Sequence, residues 1–238
     1  MGIAAFTVVA LAACSSGQNS NANGNGAGPV ATGATNGAGP MQVGSDGVTN
    51  IPADSLQPQL DALPKATLTA EEQAGLIWMR EEEKLARDVY AALYDKWNTP
   101  IFTNIAAAEQ THTDAVKALL DRYAIADPSA GAETGMFTNP DIQALYMTLV
   151  SQGSTSLVAA LTVGATIEDL DIADLQARAT TTPDIALVYA NLEKGSRNHL
   201  RAFTKQLASN GATYTPTHIT QAAFDAIVSS DIERGASG

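Results

Sequence analysis

Residues 79–90 read Met79-Arg80-Glu81-Glu82-Glu83-Lys84-Leu85-Ala86-Arg87-Asp88-Val89-Tyr90, and two helical rows run through them. The row 76, 79, 83, 86, 90, 93 is Leu76, Met79, Glu83, Ala86, Tyr90 and Leu93. The neighbouring row 75, 78, 82, 85, 89 places Glu82 between Trp78 and Leu85. Apolar residues spaced by three and four mark the buried face of an amphipathic helix. Either row therefore sets a carboxylate in the middle of a core-facing stripe. Such a group is costly there unless it is paired or binds a metal.

The helix around this stretch has clear ends. Thr69-Ala70-Glu71-Glu72 supplies a hydroxyl cap with acids in the first turn, and Asn98-Thr99-Pro100 stops the helix after Trp97. A second helix runs from Pro100 to Tyr123, followed by a loop through Asp127-Pro128 to Gly135. Asn139-Pro140 opens a shorter helix that ends at Gly153. Ser154 opens the next, with Gly164 as a candidate kink. Thr182-Pro183-Asp184 begins a long helix that Asn210-Gly211 ends, and Thr220 to Val228 suits one more amphipathic turn pair. Strand signals are weak everywhere. The expected fold is all-α, four main helices with a short extra one between the second and third, and a bundle buries four such stripes best.

Each main helix repeats the anomaly of the first. The row 105, 109, 112, 116, 119 contains Glu109 and His112. The row 157, 161, 164, 168, 171, 175 contains Glu168 and Asp171, and the row 185, 189, 192, 196, 199, 203 contains Ser196 and His199. Glu109-x-x-His112 puts a carboxylate and an imidazole one turn apart on one face. Four carboxylates (Glu82 or Glu83, Glu109, Glu168, Asp171) and two histidines suit two metal ions. Taken singly, each residue has a plainer reading. The acidic run reads as a solvated face, His199 as a core histidine, and Glu82, Glu83 or Asp171 as partners of Arg80, Arg87, Arg178 or Arg197. The coincidence across four helices favours the metal. His218 lies off these rows and reads as surface, and Tyr90 as a core side chain.

The chain has 238 residues, 45% of them hydrophobic but only 5% aromatic, so its core is aliphatic. Its formal charge of −12 argues against binding nucleic acid or an anionic membrane surface through charge. A single cysteine excludes an intrachain disulfide and a cysteine-based zinc cluster. Residues 1–13 are apolar and too short to span a bilayer, which takes about 20 residues. They read as a signal peptide. The run ends in Leu11-Ala12-Ala13-Cys14-Ser15, which resembles a bacterial lipobox, with Cys14 as the lipidated residue. The plainer alternative is a signal peptide that happens to contain Cys14. No Lys or Arg precedes the apolar run, a departure from the usual signal. Residues 14–64 are expected to be a disordered Gly/Asn/Ala/Ser-rich tether holding a helical domain, residues 65–230, at the cell envelope.

The runs 79–90, Glu109-Gln110-Thr111-His112 with Asp114-Ala115-Val116, and Phe137-Thr138-Asn139-Pro140 resemble a ferritin-like family catalogued as domain of unknown function 2202. Ile167-Glu168-Asp169-Leu170-Asp171-Ile172 and Gly195-Ser196-Arg197-Asn198-His199-Leu200-Arg201-Ala202-Phe203 complete the resemblance. It covers Leu68 to Leu207 and implies a ferritin-like four-helix bundle. It also implies a di-iron or di-manganese centre held by one Glu on each of two helices and E-x-x-H on each of the other two. Ser196 stands where the second E-x-x-H would have its Glu, and Asp171 is an extra acid that restores the count. Arg197 and Asn198 are candidates for bonds behind the ligands. The implied activity is redox, ferroxidase-like, toward oxygen or peroxide. A metal-binding or structural envelope module without turnover is the alternative. Protein partner and oligomeric state are not legible.

Overall fold

The computed structural model describes residues 41–235. The signal peptide, Cys14 and residues 15–40 lie outside them. Nine elements follow in order: β1 (Gln42–Val43), β2 (Thr49–Asn50), α1 (Ala53–Ala62), α2 (Ala70–Trp97), α3 (Pro100–Tyr123), α4 (Pro140–Gly153), α5 (Leu157–Ala177), α6 (Pro183–Ser209) and α7 (Gln221–Ser229). The protein is all-α apart from one two-residue antiparallel hairpin. Among the described residues no helix is long and apolar enough to cross a membrane.

The helix ends fall close to where local chemistry puts them. Thr69 and Glu72 form a reciprocal capping box at α2, and Asn98 closes that helix in the left-handed conformation. Proline opens α3, α4 and α6, where its missing N–H costs nothing. The cap of α5 is Ser156, two residues past the expected Ser154. α5 runs through Gly164 as one continuous helix. The glycine admits Phe203, whose ring occupies the space a Cβ would take. Gly164→Ala is expected to destabilise the fold by about 1–3 kcal/mol through overpacking. An unchanged urea midpoint would contradict that.

The four long helices close a ring of contacts, α2 on α3, α3 on α6, α6 on α5 and α5 on α2. Their apolar faces form two clusters. One joins Leu85, Tyr90, Leu93, Phe102, Leu161, Leu200 and Phe203. The other joins Leu76, Met79, Val116, Leu119, Ile185, Val188 and Leu192. Along α2, α3 and α6 the break between the clusters falls at the polar interruption of the stripe, near 83, 109–112 and 196–199, and along α5 it falls just beyond Asp171, between Ile172 and Leu175.

The tether expectation fails for residues 41–64, which are folded. Met41, Ile51, Leu56 and Leu60 are buried against the second cluster, and α1 and β2 both pack on α3. Full burial of such a side chain is worth about 1.5–3 kcal/mol. Average composition concealed this, because four well-placed apolar residues suffice to dock a short segment. The run 80–88 has its own structural duties. Arg80 pairs with Asp127, Lys84 with Asp88, and Glu81 accepts the N–H groups of Thr138 and Asn139, so one side of α2 fastens the α3–α4 loop.

Candidate metal centre

Glu109 and His112 on α3 and His199 on α6 meet in the polar layer, and one ligating atom of each lies within 4.8 Å of the others. Glu109 is the hub. Its Oε2 lies 2.8 Å from His112 Nδ1 and its Oε1 2.8 Å from His199 Nδ1. Glu83 from α2 approaches His112 Nδ1 at 3.5 Å, and Glu168 from α5 approaches His199 Nδ1 at 3.6 Å. The two imidazoles stack, centroids 5.5 Å apart. The space for the His112 ring comes from Gly195, where a Cβ would lie 2.5 Å from His112 Cε1. Gly195→Ala is therefore expected to push the ring off its position and lower metal content. Retention of full metal content by that variant would overturn this placement.

Glu82 and Asp171 stand beside this group rather than in it. Glu82 Oε2 accepts the Trp78 indole N–H at 2.7 Å, and the same N–H reaches Asp174 at 2.8 Å. Asp171 accepts a short hydrogen bond from the Ser196 hydroxyl. The extra acid of α5 thus meets the serine that stands in place of an acid on α6. None of the four arginines weighed as partners pairs with Glu82, Glu83 or Asp171. Arg80 binds Asp127, Arg87 binds Asp88, Arg178 binds Asp174, and Arg197 binds Glu193 and Glu233.

All seven residues are buried, none more than 6% exposed. Glu82 Oε1, Glu83 Oε1 and Asp171 Oδ1 have no hydrogen-bond partner, while His112 Nδ1 and His199 Nδ1 meet only the carboxylates of Glu109, Glu83 and Glu168, at 2.8–3.6 Å. Orphaned polar atoms are rare in native interiors, and these three oxygens with the two imidazole nitrogens and Glu109 form a donor set that suits iron or manganese. Burial governs the electrostatics of this layer. Burial pushes Glu83 up to about 7 despite His112, and burial with Glu109 nearby raises Glu168. Burial also raises Glu82 and Asp171 well above the carboxylate range, helped by Asp174 and Glu83 respectively. Burial opposes the charge of Glu109, but the two imidazoles outweigh it and hold that carboxyl low. Burial likewise opposes charge on the histidines, yet Glu109 lifts His112 well above its usual value and His199 to about 9.

Sequence rows did not reveal three further participants. Tyr90 is buried against Phe203 as a core side chain, but its hydroxyl also donates to Glu168 Oε1 at 2.6 Å. Trp78 serves Glu82 as described. Thr49 of β2 lies over the histidines, its carbonyl 2.8 Å from His112 Nε2 and its N–H 3.3 Å from His199 Nε2. The Thr49 hydroxyl accepts from Asn198 at 3.0 Å, whereas Arg197 pairs with Glu193 and Glu233. A short run of small polar residues carries no sign of this role. His218 is half-buried on the loop before α7, where Asp169 accepts its backbone N–H.

Fold and site define an all-helical protein with a buried carboxylate–histidine layer at mid-helix. The chain belongs to the family described as an uncharacterized protein domain (DUF2202), whose pattern matches residues 72–231. It is 54% identical over 178 residues to a protein of Methanocaldococcus jannaschii described as uncharacterized protein MJ0754, covering 74% of this chain and 96% of that one. A crystal structure of hypothetical protein MJ0754 from Methanococcus jannaschii superposes with a TM-score of 0.71 at 55% identity, covering 72% of this chain and 99% of that one.

Proposed function

We propose that this protein is a ferritin-like four-helix-bundle protein that holds a dinuclear iron or manganese centre, redox active toward oxygen or peroxide, and is anchored to the cell envelope by lipid on Cys14. The observation that carries the metal reading is the buried convergence of Glu109, His112 and His199, with orphaned oxygens of Glu82, Glu83 and Asp171 beside them in one polar layer. His112, Glu83 and Glu109 would hold one ion, and His199, Glu109 and Glu168 the other, with Asp171 and Glu82 as flanking carboxylates. When bound, such a pair of ions supplies reversible one-electron oxidation beside a site for oxygen or peroxide. The chain's own residues exclude water through the two apolar clusters, orient His112 through Thr49, and hold the Tyr90 hydroxyl as a donor to Glu168 Oε1. The closure of the layer favours a second reading, a metal-holding module without turnover. The anchoring proposal rests on Leu11-Ala12-Ala13-Cys14 alone.

Elemental analysis of protein purified without chelator or affinity metal tests the first claim, with about two equivalents of iron or manganese expected from such a ligand set. His112→Ala and His199→Ala should each lower that content and His218→Ala should not. Wild-type protein that takes up neither metal ends the metal reading. Oxygen or peroxide consumption by the Fe(II) form separates the two readings, and Cys14→Ser should free the full-length protein from membranes.

A further inference from the structure

Thr49 presents opposite ends of its own residue to the two histidines. Its carbonyl, 2.8 Å from His112 Nε2, can only accept, so the proton of a neutral His112 sits on Nε2. The His112 Nδ1 lone pair is then turned toward Glu109 and Glu83. The Thr49 N–H can only donate, and it points at His199 Nε2. A neutral His199 therefore carries its proton on Nδ1, directed at Glu109 Oε1 and Glu168 Oε2. One is set as a ligand and the other as a hydrogen-bond donor to the carboxylates.

We propose that the Thr49 peptide makes the two halves of the centre unequal: the first ion enters on His112, Glu83 and Glu109, and the His199 side binds more weakly. For His199 to offer its Nδ1 lone pair, the proton moves from Nδ1 to Nε2, where it meets the Thr49 N–H. The Thr49 amide must then swing away. Partners behind a metal ligand are worth about 10- to 100-fold in affinity, and that sets the expected gap between the two positions. Thr49 is fully buried, and Asn198 and the carbonyl of Gly47 bond its hydroxyl, so the peptide is held in place. The inference rests on the metal reading above and adds an order of filling to it. It also gives a role at the centre to a segment outside the family match, which begins at residue 72.

Two measurements on the full chain test it. In metal-free protein taken to an alkaline pH at which both imidazoles have lost their second proton, long-range proton–nitrogen NMR should show His112 with Nε2–H and His199 with Nδ1–H. The same tautomer in both rings, or a proton on His199 Nε2, overturns the inference whether or not metal binds. With Co(II) added stepwise without oxygen, the wild type should bind in two phases separated by about 10- to 100-fold. Thr49→Pro removes the N–H and keeps the carbonyl, and it should bring the second phase toward the first. Thr49→Val keeps the N–H and loses the hydroxyl, and it should preserve two phases. Equal phases in the wild type, or an unchanged gap in a folded Thr49→Pro protein, overturns the proposal. Wild-type protein that binds no Co(II) but shows the opposite tautomers refutes the metal reading and leaves the role of Thr49 intact.

Discussion

Glu109→Ala should strip the centre of metal, because Glu109 is the carboxylate that touches both histidines. Affinity for Fe(II) or Mn(II) should fall by more than about 100-fold, since even the groups behind a ligand are worth about 10- to 100-fold. The same change should weaken the metal-free fold. It leaves His112 and His199 buried without their main counter-charge, and removing one partner of a buried pair costs about 3–5 kcal/mol. For a domain of this size each kcal/mol moves the melting temperature by about 2–4 °C. Glu109→Gln keeps the shape and loses the charge, so it should lose metal nearly as completely. A Glu109→Ala protein that binds metal as tightly as the wild type, or melts with it, would remove Glu109 from the hub. Loss of stability with no metal in the wild type would instead leave a buried ion-pair network as the whole role of the layer.

Adding metal should raise the melting temperature, and the gain should grow with pH. Glu83 is raised from 4.5 to about 7 by burial, so the folded protein holds a proton that the unfolded chain releases. Its contribution to stability therefore falls as pH rises from about 4.5 to 7. His199 is raised from 6.5 to about 9, chiefly by Glu109 working against burial. Its contribution is complete below 6.5 and is lost as pH rises through 9. Glu109 has the opposite sign, since its lowered value contributes above 4.5 and is lost only in acid. The metal-free protein should thus melt progressively lower between pH 5 and 9. A divalent cation replaces those protons and flattens the slope. At free metal about 1,000 times its dissociation constant the gain is about 4 kcal/mol, or about 8–16 °C. A melting temperature indifferent to Fe(II) and Mn(II) at pH 8 would count against the centre.

The redox and non-catalytic readings share every ligand, so they part on access. The layer is shut by Thr49 on the histidine side and by the apolar clusters along the helices. Oxygen or peroxide consumption by the Fe(II) form is therefore the measurement that separates the two readings.

Much of this protein was determined locally. The Thr69–Glu72 box, the prolines at positions 100, 140 and 183, and Asn210-Gly211 act within one helical turn, so the helix ends could be read from neighbours in the chain. The rows also showed that Glu83, Glu109, His112, Glu168 and His199 interrupt buried faces, because periodicity alone decides which residues share a face. What periodicity leaves free is the rotation of each helix and the choice of partner. Only packing placed Glu83 against His112 while turning Glu82 toward Trp78 and Asp174, since a rotation of α2 by about 100° would exchange them. Only packing brought Thr49 onto residues 63 and 150 positions away. A backbone amide and carbonyl belong to every residue alike, so their use at the centre has no signature in side-chain pattern, and it took the docking of Met41, Ile51, Leu56 and Leu60 to put that peptide there.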